Sequence, residues 1–234
     1  MKRTSLLLSS VAAAVILSAC ETTSISNVGR NPFYRGEIAE ADLLGIPANG
    51  SVTDAAIRAT LEGASRRSVR LHPGEHILLI QSGSIQPDGA LSRAFEQHVR
   101  VSPYSGLPQD SDGQAQAAKR PDPRVLRMAA ARAGASKIVC VWGLLESAHD
   151  STGFDSITWL PVVGEFIPGK RTVTRLTLKA MVMDTATGSW KSFSTDPITD
   201  KRVTAAITED LQSSRQIEQM KGGAYAQLAR RMTL

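Results

Sequence analysis

The stretch Leu176-Thr177-Leu178-Lys179-Ala180-Met181-Val182 decides the fold. Leu176, Leu178, Ala180 and Val182 alternate with Thr177, Lys179 and Met181, the period of two expected of a half-buried antiparallel strand. Asp184-Thr185-Ala186-Thr187-Gly188 reads as the turn after it, and Trp190 to Phe193 as the start of the return. Residues 171–195 are therefore expected to form a long hairpin. Just upstream, Ile138 to Leu145 is the strongest strand candidate in the chain, a short continuous apolar run.

The elements further out alternate. Ser51-Val52-Thr53-Asp54 is a helix-capping sequence ahead of Ala55 to Leu61, where Ile57 and Leu61 share a face. Ile77-Leu78-Leu79-Ile80 reads as a buried strand after the Pro73-Gly74 turn. Pro87-Asp88 opens a helix with Leu91, Ala94 and Phe95 on one side, and Val99 and Val101 suggest another short strand. Asp122-Pro123 starts a helix with Val125, Leu126, Met128, Ala129 and Ala133 on its expected inner face, closed by Gly134. The chain ends in a helical segment expected in two pieces, Ala205 to Leu211 and Ile217 to Met232. Gly222-Gly223 interrupts it, and Tyr225, Leu228 and Ala229 face inward. Helix-alternating strands followed by a meander imply an α/β (α+β) fold: a mixed β-sheet with a long antiparallel hairpin, covered by helices, with the C-terminal helix packed on it. No internal repeat is visible.

The amino terminus places the protein. Lys2 and Arg3 precede a mostly apolar run from Leu6 to Leu17, then Ser18-Ala19-Cys20. Positive start, short apolar core and small-residue cleavage site read as a secretory signal, too short to span a bilayer comfortably. Leu17-Ser18-Ala19-Cys20 resembles the lipobox of bacterial lipoproteins. The resemblance implies a signal peptide at 1–19, cleavage before Cys20, and a diacylglycerol and N-acyl chain (such as palmitate) on that cysteine. Multiple acyl chains hold a protein stably on a membrane without a transmembrane helix. Glu21 stands where aspartate favours inner-membrane retention in enterobacterial lipoproteins, which leans toward the outer membrane and its periplasmic face. Residues 20–36, rich in Thr, Ser, Asn and Gly, read as a tether, and 37–234 as one periplasmic domain with loops at 103–120 and 146–170.

Composition excludes several functions. The formal charge is +5, of which Lys2 and Arg3 contribute two. The basic residues are not concentrated, with Arg66-Arg67, Lys170-Arg171 and Arg230-Arg231 as isolated pairs, and aromatics make up only 5%. A nucleic-acid footprint needs a basic stripe with interleaved aromatics, so no nucleic-acid partner is expected. With Cys20 consumed by lipid, Cys140 has no disulfide partner. It lies inside the apolar strand, where a free cysteine behaves as a small hydrophobe.

Catalytic motifs are sparse. Gly164-Glu165-Phe166-Ile167-Pro168-Gly169-Lys170 matches the first seven positions of a phosphate-binding loop. Arg171 stands where Ser or Thr must follow, and a strand stands where the helix should be. His72, His76, His98 and His149 lack metal-ligand spacing, and no metal or cofactor is expected. Ser82-Gly83-Ser84 lacks the nucleophile-elbow glycines. Glu146, His149 and Asp150 follow the strongest strand and carry an alternative reading, a periplasmic hydrolase with an acid–base or metal site. The segment 157–168 is more apolar than a surface loop should be. Trp159, Leu160, Val162, Val163, Phe166 and Ile167 are its candidate binding residues. Three uses compete: capping the sheet edge, docking an envelope protein or a second copy of the chain, or dipping into the membrane interface, which suits Trp159 and Phe166.

A family resemblance joins these pieces. The helix ending Ala131-Arg132-Ala133-Gly134-Ala135 leads into Lys137-Ile138-Val139-Cys140-Val141-Trp142-Gly143. A long strand ends Met183-Asp184-Thr185-Ala186-Thr187-Gly188 before a tryptophan, and a terminal helix carries Ala224-Tyr225-Ala226-Gln227-Leu228-Ala229. Over residues 75–232 this resembles the periplasmic α/β domain shared by the amino-terminal domain of TolB, the CsgG curli-secretion lipoprotein and the LpoB-type activators of peptidoglycan synthases. It implies a protein-binding module in envelope assembly, secretion or cell-wall control rather than an enzyme.

Overall fold

A computed structural model describes residues 20–28, 31–44, 53–64, 69–108, 122–150, 170–204 and 209–233. The strands are β1 (Cys20–Ser24), β2 (His76–Gln81), β3 (Arg100–Tyr104), β4 (Lys137–Asp150), β5 (Lys170–Asp184), β6 (Trp190–Ser194) and β7 (Ile198–Thr204). The helices are α1 (Glu40–Leu44), α2 (Asp54–Ala64), α3 (Gly89–Glu96), α4 (Pro123–Arg132) and α5 (Glu209–Thr233), with one 3-10 turn at Ile25–Asn27. The strands form one mixed sheet in the order β3-β2-β4-β5-β6, the α/β architecture expected from the sequence.

Strands β4 and β5 are the spine, antiparallel from Lys137↔Asp184 to Asp150↔Arg171. Each is long enough to take two partners along one edge. The first half of β4 pairs with β2 in parallel, and its second half pairs with β1 antiparallel. Likewise β5 pairs with β6 at the turn end and with β7 at the other.

Alternation along the strands fills two cores. Ile77, Leu79, Val139, Val141, Leu176, Leu178, Ala180 and Val182 face α3 and α5, meeting Leu91, Phe95, Tyr225 and Leu228. Leu78, Ile80, Ile138, Cys140, Met181 and Met183 point the other way, with Leu43 of α1 and Ala130 of α4 in their cluster. The connections β2–α3–β3 and β3–α4–β4 step across the sheet in opposite directions. A single crossover hand therefore requires their helices on opposite faces, as observed.

Local chemistry sets the boundaries. The Asp122 side chain caps α4 by accepting from Arg124 N at 2.9 Å. At the other end Gly134 takes φ +71°. Ala135 N donates to Ala130 O at 2.9 Å and Gly134 N to Ala131 O at 3.0 Å, the double closure of a Schellman motif. In the β5–β6 turn the Asp184 carboxylate accepts from Thr187 N and Thr187 Oγ1, both at 2.8 Å, and from Lys137 Nζ at 3.0 Å.

Four expectations need correction. The helix α5 runs unbroken through Gly222-Gly223, because Met220, Ala224, Tyr225 and Leu228 bury its inner stripe on the sheet. Val125, Met128 and Ala133, expected on the inner face of α4 or at its end, are exposed; Leu126 turns inward as expected, and Ala130 joins it. The loops expected at 103–120 and 146–170 begin later: β3 continues to Tyr104, paired with Ile80, and β4 to Asp150. Part of the expected tether is structured, since β1 adds to the sheet edge and Ile25 packs into the core.

Candidate functional site

The end of the sheet that carries Cys20 is built by long-strand pairing. The register is Cys20↔Ala148, Glu21↔Ser147 and Thr22↔Glu146, so the chain is already paired into the sheet at Cys20. Behind β1, Ile25 lies over Gly143. A Cβ built on that glycine would come within 2.6 Å of Ile25 Cδ1 and Cγ2, so only glycine leaves room for the isoleucine. Ser26 Oγ donates to Ser82 O at 2.6 Å, and Ser82 Oγ accepts from Ile38 N at 2.7 Å. The Ser82-Gly83-Ser84 sequence, which fails as a nucleophile elbow, thus pins the amino-terminal segment to the end of β2.

Glu146, His149 and Asp150 do not sit on a loop after the strand. All three lie within β4, where successive residues alternate between faces. His149 is an odd number of residues from each carboxylate and so does not share their face, while Glu146 and Asp150 stand about 13 Å apart along the strand. Glu146 is instead paired with Arg175 across the sheet at 3.5 Å. Among the described residues no group of three or more His, Cys, Asp or Glu side chains is placed to hold a metal ion. Trp159, Leu160, Val162, Val163, Phe166 and Ile167 lie outside the described residues, as do 164–169 of the phosphate-loop-like sequence. Its last residue, Lys170, opens strand β5 rather than a helix.

A second feature lies where β2 and β3 end. Ile38, Leu43, Ile80, Tyr104, Leu126 and Val125 line a groove of ≈ 150 Å³ between α1, α4 and the sheet, with Asp42 and Asp122 at its polar side. Val125 is 58% exposed and Met128, one turn further along α4, 56% exposed, so an apolar surface continues out of the groove. Gly106 closes β3 against the end of β2. A Cβ there would stand 1.9 Å from Gln81 O, a position that only glycine tolerates.

A buried polar network ties these elements to α5. Gln81 Oε1 accepts from Asp88 N at 2.8 Å, and Gln81 Nε2 donates to Ser26 Oγ at 3.2 Å. The Asp88 carboxylate accepts from Tyr225 Oη at 2.7 Å and Lys221 Nζ at 3.1 Å. Burial, then the adjacent Asp88 charge, push the Tyr225 hydroxyl far above its usual range, so it stays a proton donor. Lys221 is only 5% exposed, and its charge is balanced by Asp88 and Glu218. The sequence signal for this network was the helix-opening Pro87-Asp88; nothing local pointed to Lys221 133 residues away. Burial raises the Cys140 thiol well above its ordinary value, followed by the Glu37 charge, which removes it as a nucleophile. Among the described residues, no helix is long and apolar enough to cross a membrane.

Residues 39–233 match the profile described as YafT bacterial lipoprotein. Among solved structures, the chain is similar to a PelC dodecamer subunit from Paraburkholderia phytofirmans, at 12% identity over 68% of this chain and 88% of that one, TM-score 0.26. It is also similar to lipoprotein GNA1162 from Neisseria meningitidis, at 13% identity over 63% of this chain and 98% of that one, TM-score 0.26. No curated protein matches the chain.

Proposed function

Because the chain belongs to the YafT bacterial lipoprotein family, we propose that it is a periplasmic protein-binding module held on the membrane by acyl chains on Cys20. Cleavage after residue 19 frees that cysteine, and Glu21 beside it favours the outer membrane. The partner is an envelope protein or a second copy of the chain, in assembly, secretion or peptidoglycan control. The order of helix, strand, long hairpin and terminal helix supports reading the domain as a relative of the TolB amino-terminal, CsgG and LpoB-type domains.

The observation that carries this reading is the apolar groove continuous with exposed Val125 and Met128. Exposed apolar side chains beside a concavity are the ordinary mark of a docking surface. The hydrolase alternative has less support, because alternation along β4 puts His149 on the opposite face from Glu146 and Asp150.

The test is cross-linking in membranes with the acylated protein, comparing wild type with Val125→Asp/Met128→Asp. Both positions are exposed, so the variant keeps its fold. A cross-linked species that is lost in the variant supports the groove, and its mass separates an envelope partner from a homo-oligomer. Identical species in both forms refute it. The same comparison with Trp159→Ala/Phe166→Ala tests whether the 157–168 segment docks.

A further inference from the structure

We infer that the Cys20 end of the sheet is a membrane-apposed face whose basic rim rests on anionic phospholipid headgroups. This rests on the proposed acylation of Cys20. Two placements carry it. First, Cys20 is itself the first residue of β1, hydrogen-bonded into the sheet opposite Ala148. With no free chain between the acylated residue and the sheet, the bilayer surface lies at the row of Cys20.

Second, the rows at and beyond Cys20 are basic. Ala148 aligns with Val173 and Lys201, His149 with Thr172 and Arg202, Asp150 with Arg171 and Val203, and Lys170 with Thr204. Lys170, Arg171, Lys201 and Arg202 therefore hold register positions at or beyond the row of Cys20, where Asp150 is the one acidic position among the described residues. One row back the balance turns acidic, with Glu21 and Asp200 in register with Ser147 and Thr174. The change of sign falls at the level of the anchor. Strand β4 continues two residues past Cys20's row, which is about 7 Å, and headgroups occupy that depth of an interface. A basic residue next to an anionic leaflet is attracted to it, and the attraction fades within a Debye length. The rim thus turns a tethered domain into an oriented one.

Hydrogen exchange on the acylated full-length mature protein tests this. The protein is reconstituted into vesicles of phosphatidylcholine alone or with phosphatidylglycerol added. Among the described residues strand β7 pairs with β5 alone, so amides of its outer edge report directly on what covers the rim. Slowed exchange in 198–204 with phosphatidylglycerol, reversed by high salt, is the expected result, with Trp190–Ser194 unchanged. The variant Lys170→Ser/Arg171→Ser/Lys201→Ser/Arg202→Ser loses that protection while its core amides stay protected. Equal exchange of 198–204 in both vesicle types overturns the inference in the wild type alone, whether or not the variant folds. So does protection at Trp190–Ser194 instead. The mass of the Cys20 peptide is read in the same experiment, and an unacylated Cys20 overturns the anchor reading and this inference together.

Discussion

Replacing Ile25 by alanine, alone and together with Gly143→Ala, tests whether the amino-terminal segment belongs to the fold. Ile25 is 2% exposed and packed in the larger core. Truncating a buried isoleucine costs about 2–5 kcal/mol. The lower half of that range is expected here, because Ile25 sits on a short turn behind an edge strand that relaxes easily. Gly143→Ala drives a methyl to within 2.6 Å of Ile25 Cδ1 and Cγ2 and 2.7 Å of Cγ1. Overpacking of that kind costs about 1–3 kcal/mol. Alanine at position 25 lacks all three clashing atoms, so the two changes compensate. The double variant is expected to be no less stable than Ile25→Ala alone, a coupling of about 1–3 kcal/mol. Urea denaturation of the four proteins measures it. Additive effects, or an Ile25→Ala change within about 0.5 kcal/mol of wild type, refute the packing and return residues 20–28 to a free tether.

Other substitutions probe other joints. Tyr225→Phe removes the donor to Asp88 and is expected to lower stability by about 1.5–3 kcal/mol, the range for a hydrogen bond to a charged group; chemical denaturation reads it. Gly222→Ala is expected to raise the melting temperature by an increment worth about 0.5–1 kcal/mol, since a Cβ there meets nothing within 4 Å. Cys140 is expected to resist iodoacetamide in the native protein and react once unfolded, given its burial and raised thiol; mass spectrometry distinguishes the two. Burial pulls the Asp184 carboxyl upward, but hydrogen bonds from Thr187 and Lys137 outweigh it and leave it lowered. Its stabilising contribution is therefore present above the unfolded carboxylate value of about 3.9 and lost as pH falls through the lower folded value. Asp184→Asn should flatten that acid limb of the stability curve, and an unchanged limb would refute the assignment.

The parts of this fold legible in sequence were those whose burial repeats regularly. The β5 alternation, the α3 face of Leu91, Ala94 and Phe95, and the Gly134 helix stop each follow from local periodicity or backbone sterics. Strand β7 did not show, because Thr199-Asp200-Lys201-Arg202 is polar on both faces and gains its place only by pairing with β5. Strand β1 was hidden for the same reason: Cys20-Glu21-Thr22-Thr23-Ser24 has the composition of a linker, although threonine suits an extended edge. In α4 the apolar residues surround more than half the helix, so period alone did not say that Leu126 turns in while Val125 and Met128 turn out. The groove they border joins residues from α1, β2, β3 and α4, far apart in the chain, and no local motif announces it.

The two long strands give these separate features a fixed relation. The groove meets the sheet at Ile80, which lies opposite Cys140 of β4, while Cys20 lies opposite Ala148 of the same strand. Eight residues of extended chain separate the two rows, about 26 Å at 3.3 Å per residue. Both faces of the sheet are covered near the groove, by α3 and α5 on one side and α1 and α4 on the other, so that half is rigid. If the β1 end rests on the bilayer, a protein seated against Val125 and Met128 is held within a few tens of ångströms of the membrane surface. A flexible tether of residues 20–36 would have allowed the domain to range further and turn freely. Pairing Cys20 into the sheet removes that freedom, which is why the stability of the Ile25–Gly143 contact and the orientation of the groove are one question.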